Sequence, residues 1–186
     1  MSFLYSKLIM KPFVAALTAA AIAATSYASV LPRHMNSCAD AKTVSNTSIA
    51  VGDKVVELVE LSCGSAPVTK RQISPSDAFG DVCISECFTG GSIPATEDCQ
   101  TVFNGIMTKN SDSPTFRLAG GSALVLASGT CEFFFQNNDE STDEFCWILL
   151  AQTGSALGST CFANGASEGS CFTNTEPMWD FFVAHS

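Results

Sequence analysis

The chain has 186 residues, of which 46% are hydrophobic, and a formal net charge of −9; this length suits one globular domain with a packed core. After Arg71 there are two basic and fourteen acidic residues, so this part carries a charge of −12. Such a surface repels phosphate groups, which excludes nucleic acids and anionic membranes as partners. The two histidines, His34 and His185, stand in no metal-binding or nucleophile motif. We therefore expect no metal, no cofactor and no enzymatic activity.

The first 28 residues are typical of a cleavable export signal. Lys7 and Lys11 supply the positive charge in front of an alanine-rich apolar run. After the run, the small residues Ser26 and Ala28 occupy the recognition positions of a cleavage site. The run is shorter than the roughly 20 residues that span a bilayer, and no later stretch is long enough. We therefore predict a secreted, extracellular protein without a membrane span.

A dibasic pair, Lys70-Arg71, divides the rest of the chain. It lies in a polar stretch rich in Pro, Ser, Thr and Gln, which is typical of loops open to proteases. The pair indicates either a processing site, with residues 29–71 as a propeptide, or an ordinary charged loop. In both cases residues 72–186 form the main domain. The segment before the pair contains an N-glycosylation sequon at Asn46.

Nine cysteines follow the predicted signal, and export makes disulfide bonds their default state. Cys38 and Cys63 both precede the dibasic pair and can bond to each other. Seven cysteines follow Arg71, so one of these is unpaired, bonds between chains, or bonds to a cysteine of the N-terminal segment. The disulfide candidates are Cys38, Cys63, Cys83, Cys87, Cys99, Cys131, Cys146, Cys161 and Cys171.

Hydrophobic periodicity gives the first elements in chain order. Residues 53–61 are rich in β-branched residues and predict a strand. Apolar residues recur at helical spacing from Cys99 to Met107 and predict a helix that Thr96 caps, with acidic residues in its first turn. Strands are predicted at 115–119, 122–128 and 130–136.

The remaining elements follow an acidic loop at 137–143. The spacing from Phe145 predicts a second helix capped by Asp143 or Thr142, with a buried strand at 146–151 as the alternative. Residues 161–171 are predicted to be a loop, and residues 178–184 a closing strand. The fold class is therefore α+β: a small disulfide-stapled domain with an antiparallel sheet and two helices.

Three consecutive phenylalanines, residues 133–135, stand in a predicted strand. Successive side chains of a strand point to opposite faces, so at least one of the three rings faces away from the others. That ring packs in a second layer or lies on a partner surface.

Candidate ligand-binding residues cluster near the acidic loop and the end of the chain. Aromatic rings stack on the C–H faces of sugars, while Asn and Asp hydrogen-bond to hydroxyl groups. The alternative for the tryptophans is core packing. The oxygen-rich loop 137–144 lacks the central glycine of an EF-hand, so we interpret it as a hydrated turn rather than a calcium site. The glycan-binding candidates are Trp147, Trp179, Asp180, Asn137, Asn138 and Asp139.

From Val82 to Ser186, cysteines, aromatic residues and polar residues follow one order: Phe88, Asp98-Cys99, 116–118, Gly129-Thr130-Cys131, 133–137, Phe145-Cys146-Trp147, Cys161, Cys171 and 179–186. This order resembles the small secreted glycan-binding proteins of mushrooms, the Y-three type lectin-like domain. The resemblance implies a compact α+β domain, often a homodimer through its sheet, that binds a fucosylated or N-acetylhexosamine-containing glycan. Its partners would be glycans of the fungal or a foreign cell surface. The relatives lead us to expect a further cysteine near Cys83 and Cys87, which this chain lacks.

Three other functions stay open, of which a structural role in the cell wall or fruit body is the least specific. Asp98-Cys99-Gln100 followed by Gly129-Thr130-Cys131 is similar to secreted cysteine-rich effectors and killer-toxin-like proteins that act on other cells. A glycosidase would need two carboxyl groups facing each other across a cleft.

Overall fold

The structure is a computed structural model that describes residues 38, 40–64, 83–173 and 178–186. The predicted signal and Lys70-Arg71 lie outside the described residues. The elements are β1 (Lys42–Val51), β2 (Lys54–Ser62), β3 (Ile84–Phe88), α1 (Thr96–Asp112), β4 (Thr115–Leu118), β5 (Ser122–Ser128), β6 (Cys131–Asn137), β7 (Asp143–Cys146), α2 (Trp147–Ala163), β8 (Glu168–Phe172) and β9 (Trp179–His185).

Seven strands form one antiparallel sheet in the order β1-β2-β5-β6-β9-β8-β3, and β4 pairs with β7 in a second, two-stranded sheet. The N-terminal segment supplies the β1–β2 hairpin at one edge, where β2 pairs with β5 from Glu57 opposite Ala127 to Ser62 opposite Ser122. Strand β3 forms the other edge. The predicted class, a disulfide-stapled α+β domain with an antiparallel sheet and two helices, is confirmed.

Both helices pack on the same face of the large sheet. Gly105 of α1 lies against Val56 of β2, and Gly154 of α2 lies against the ring of Phe133 of β6. A Cβ at either glycine would overlap the facing side chain, so the absent side chain is what permits this close approach. The core between helices and sheet contains Val56, Leu58, Val102, Ile106, Leu126, Phe133, Phe135, Leu150, Phe181 and Val183.

Four disulfides fasten the helices and the edge strands. The predicted bond between Cys38 and Cys63 is confirmed. Of the seven cysteines after Arg71, Cys146 is the one outside the four disulfides, and its thiol is half-buried. Burial is the main cause that raises the pKa of this thiol, and the nearby charge of Glu144 raises it further. The other bonds join α1 to β6, α2 to β3, and the start of β3 to β8: Cys99–Cys131, Cys87–Cys161 and Cys83–Cys171.

The predicted caps of both helices are wrong. Thr96 is already the first residue of α1, and the N-cap position is Ala95, which has no side-chain hydrogen bond to offer. The acidic first turn of α1 is confirmed. Helix α2 begins at Trp147 after Cys146, because Asp143 instead pairs with Leu118 in the β7–β4 ladder.

The predicted loop at 161–171 is also wrong. Helix α2 continues to Ala163, and residues 168–172 form β8 between two partner strands, β9 and β3. Gly169 within β8 disfavours a strand by itself. Hydrogen bonding on both sides of the strand overrides that preference. The closing strand with Trp179, Phe181 and Val183 on one face is confirmed.

Within the described part of the chain, no helix is long and apolar enough to cross a membrane. The four disulfides are compatible with an extracellular protein.

Candidate functional site

Both tryptophans lie in the core between the helices and the sheets. Trp147 is 5% exposed, and its ring centroid lies 4.1 Å from that of Phe116. Trp179 is 1% exposed and lies 5.9 Å from the ring of Phe135. Neither ring presents a free face on which a sugar could stack. Both tryptophans are therefore core residues, which was the alternative to glycan binding.

Asn137 is a fully buried residue that fixes the acidic loop. Its Nδ2 donates hydrogen bonds to the carbonyl oxygens of Leu118 and Ser141, both at 3.0 Å. Its Oδ1 accepts a hydrogen bond from the backbone N–H of Asp139 at 2.9 Å. The Asn137 amide group therefore uses its oxygen and its nitrogen in hydrogen bonds within the protein. The Asp139 carboxylate in turn accepts from the N–H of Glu140 at 2.7 Å.

The opposite face of the large sheet carries an ordered set of side chains that sequence reasoning missed. Because alternate residues of a strand share a face, the register of β6, β9, β8 and β3 places twelve side chains side by side on the face of the sheet away from the helices. We call this set the helix-free patch. It comprises Glu132, Phe134 and Gln136; Asp180, Phe182 and Ala184; Glu168, Ser170 and Phe172; and Ile84, Glu86 and Phe88. Four of the twelve are buried: Glu132, Phe134, Gln136 and Ser170.

Each strand of the helix-free patch contributes one phenylalanine and one acidic side chain. On β3, the acidic Glu86 lies between the apolar Ile84 and Phe88. The rings of Phe134 and Phe182 on neighbouring strands lie 6.0 Å apart and are tilted by 56°. None of the twelve positions holds a basic residue. The patch thus combines apolar rings with hydrogen-bond acceptors and carries only negative charge.

Exposure rises across the patch from β6 to the edge strand β3. Phe134 and Glu132 on β6 are 3% and 8% exposed, whereas Phe88 and Ile84 on β3 are 37% and 45% exposed. All five residues of β3 are exposed. The patch therefore has a buried inner end and an open outer end.

Glu132 is the charged residue at the inner end. Its cross-strand neighbours are Ala127 and Ala184, which offer no hydrogen bond through their side chains. Among the described residues, its Oε1 has no hydrogen-bond partner. Burial disfavours the ionised carboxylate and raises the pKa of Glu132 to about 7.

Asp180 and Asn138 are the two predicted residues that the structure brings to the patch. Burial raises the pKa of Asp180, and a hydrogen bond with the Asn138 side chain acts in the opposite direction. Asn138 is held by its own backbone N–H, which donates to the carbonyl oxygen of Met178 at 2.9 Å. This pair lies at the β6–β9 end of the patch.

The Asp98-Cys99 and Gly129-Thr130-Cys131 motifs meet in a structural clamp. The Asp98 carboxylate accepts hydrogen bonds from the backbone N–H and the hydroxyl of Thr130, at 2.8 and 2.9 Å. Gly129 has a φ of +56°, and a Cβ there would overlap this carboxylate. The adjacent disulfide between Cys99 and Cys131 locks the same contact. The motifs therefore join α1 to the β5–β6 turn.

We expect Asp98→Ala to lower the free energy of unfolding at neutral pH by about 2 kcal/mol, since it removes the charged acceptor of two hydrogen bonds from Thr130 and one from Lys54. These bonds also hold the pKa of Asp98 below its usual value. The lost stability is thus present above the unfolded-state pKa and vanishes as pH falls through the folded-state pKa. Urea unfolding at several pH values measures it. Glu97→Ala in the same helical turn is the control, and an equal loss for both variants would contradict the clamp.

Asn46 of the predicted sequon is exposed on β1, at the opposite edge of the sheet from β3. Among the described residues, no three His, Cys, Asp or Glu side chains are grouped closely enough to hold a metal ion.

A comparison of the chain with models of known protein families finds no match. A comparison with curated proteins also finds none.

Proposed function

We propose that the protein is a secreted glycan-binding protein and that the helix-free patch is its binding surface. The observation that carries this proposal is that each of four neighbouring strands contributes one phenylalanine and one acidic side chain to the same face of the sheet. A pyranose ring presents C–H groups on its faces and hydroxyl groups around its edge. Rings such as Phe88 suit the faces, and acceptors such as Glu86 suit the hydroxyl groups.

The disulfides support the same proposal. A binding surface gains affinity when its side chains are held in place before the ligand arrives. Two bonds fix β3 to its surroundings: Cys83–Cys171 to β8 and Cys87–Cys161 to α2. The open end of the patch is therefore rigid although its side chains are exposed.

Glycan binding is tested by applying the secreted protein to a glycan array and to insoluble cell-wall polysaccharides. We expect binding to at least one glycan, and we expect Phe88→Ala to weaken it roughly five- to tenfold, because one aromatic contact is worth about 1–1.5 kcal/mol. Ile93→Ala is the matched control, since Ile93 is a large exposed hydrophobic residue (48%) outside the patch. Absence of any glycan binding by the wild type would refute the proposal.

The effector function stays a prediction. Its motif has a structural explanation in the clamp at Asp98 and Thr130. A cell-killing assay with added glycans separates the two functions, because toxicity that no glycan reduces favours an effector.

A further inference from the structure

The charge of the helix-free patch narrows the class of glycan. Four of its twelve side chains are acidic, namely Glu86, Glu132, Glu168 and Asp180, and none is basic. A fifth carboxylate, Glu57, lies in the same cross-strand row beyond Ala127. Sialylated, sulfated or uronic-acid glycans would be repelled by such a surface. A glycan that carries positive charge would be attracted.

Glu132 supplies a second and independent observation. The residue is 8% exposed, and Oε1 finds no hydrogen-bond donor in the described part of the chain. A buried acceptor without a donor costs free energy, which a ligand donor at that point would recover. An ammonium group is the strongest such donor, because it both donates hydrogen bonds and stabilises the ionised carboxylate.

The spacing of the acidic residues favours an extended cation over a metal ion. Glu57, Glu132 and Glu168 lie in one row, separated by Ala127 and Ala184. Neighbouring acidic residues of this row are therefore two strands apart, which corresponds to a distance of about 10 Å between their backbones. No three potential ligands among the described residues are close enough to share a metal. Charges repeated along a polymer fit this row better than one compact ion.

The aromatic rings distinguish a cationic sugar from a cationic peptide. Phe172 and Phe182 stand beside the acidic residues on the same face. Such rings match the flat C–H faces of pyranose units, whereas a lysine side chain offers only a flexible stem. These strands are hydrogen-bonded on both sides, so the inner part of the patch offers no free edge to which a peptide strand could add.

We propose that the helix-free patch binds amino-sugar glycans with free amines, that is, de-N-acetylated polymers of 2-amino-2-deoxyhexose. The ammonium groups pair with Glu132 and Glu86, and the sugar rings lie on the phenylalanines between them. This inference rests on the proposed function and names the ligand of the same surface.

The test compares two probes by isothermal titration calorimetry: a glucosamine oligomer and an N-acetylglucosamine oligomer of equal length. Near pH 7 and at low salt, we expect roughly tenfold tighter binding of the glucosamine oligomer, and the difference shrinks at high salt. Glu86→Gln should weaken that binding about three- to fivefold and Glu132→Gln roughly tenfold. Both variants should weaken binding of the glucosamine oligomer more than binding of the acetylated oligomer, because only the former carries ammonium groups. Asp112→Asn, an exposed carboxylate at the end of α1, is the matched control.

Each other outcome overturns a defined part of the proposal. If the two oligomers bind equally, or if neither glutamate variant has an effect, the preference for a cationic glycan is refuted. The proposal of glycan binding itself is unaffected by that result. If an oligolysine of the same charge binds equally tightly, the patch recognises charge alone, and the proposal that its ligand is a sugar is refuted. Absence of binding to every glycan overturns the proposed function itself. Unfolding curves of the variants show whether each one is folded during the titration.

Discussion

Replacing Cys87 and Cys161 together by alanine should lower the free energy of unfolding by about 4 kcal/mol and weaken glycan binding. The two cysteines are 74 residues apart, and a cross-link that closes so long a loop strongly restricts the unfolded chain. The bond also fastens β3, a strand of five residues whose side chains are all exposed. Without it, little apolar burial holds the outer end of the helix-free patch in place.

The control for this prediction is the double alanine variant of Cys38 and Cys63. This bond spans 25 residues and lies at the other edge of the sheet, so its removal should cost about 3 kcal/mol. Binding to glycans should survive, because β3 keeps both of its disulfides. Chemical denaturation and glycan titration of both variants give the answer. Undiminished binding after loss of the Cys87–Cys161 bond would contradict the role of β3.

Glu132→Gln should stabilise the protein by roughly 3 kcal/mol above pH 7 and leave its stability near pH 4.5 almost unchanged. The pKa of Glu132 rises from 4.5 to about 7 on folding. Between these values the folded state holds a proton that the unfolded state has released. Stability is therefore complete below the unfolded-state pKa and falls as pH rises to the folded-state pKa. Glutamine keeps the shape of the side chain and cannot ionise.

The difference between wild type and Glu132→Gln isolates this one group. Burial also raises the pKa of Asp143 and Asp180, so both add pH dependence of the same sign. These groups are common to both proteins, and their contributions cancel in the difference. Thermal or urea unfolding across this pH range measures it. A difference that stays constant with pH would show that Glu132 is ionised throughout and is not desolvated in the folded protein.

Much of the fold could be predicted because local patterns agree with the final packing. The stripe from Cys99 to Met107 is helical in α1, and the closing strand has the predicted inward residues. The three phenylalanines behave as the strand period requires, since Phe134 faces away from Phe133 and Phe135. Periodicity carries this information without any long-range contact.

The sequence could not place the edge strands or the site. Strand β3 has five exposed residues, so no burial pattern marks it. Its position depends on pairing with β8 and on two disulfides whose partners lie 74 and 88 residues away. The helix-free patch combines four strands from distant parts of the chain. One local signal was present: the acidic Glu132 beside the apolar residues of β6.

The homodimer stays a prediction from the family resemblance, as does secretion with removal of the first 28 residues. A second copy and a glycan would both use a face of the sheet, so they would compete if the dimer formed through the helix-free patch. Light scattering with and without ligand would detect such competition as a fall in molecular mass.

Backbone amide chemical-shift mapping with a soluble glucosamine oligomer tests directly whether the helix-free patch binds glycans. We expect shifts concentrated in β3, β8, β9 and β6, around Phe88, Phe172, Asp180 and Glu132. Amides of α1 and α2 on the other side of the sheet should stay unchanged. Shifts confined to the helices, or no shifts with any glycan, would show that the helix-free patch is not a glycan-binding surface.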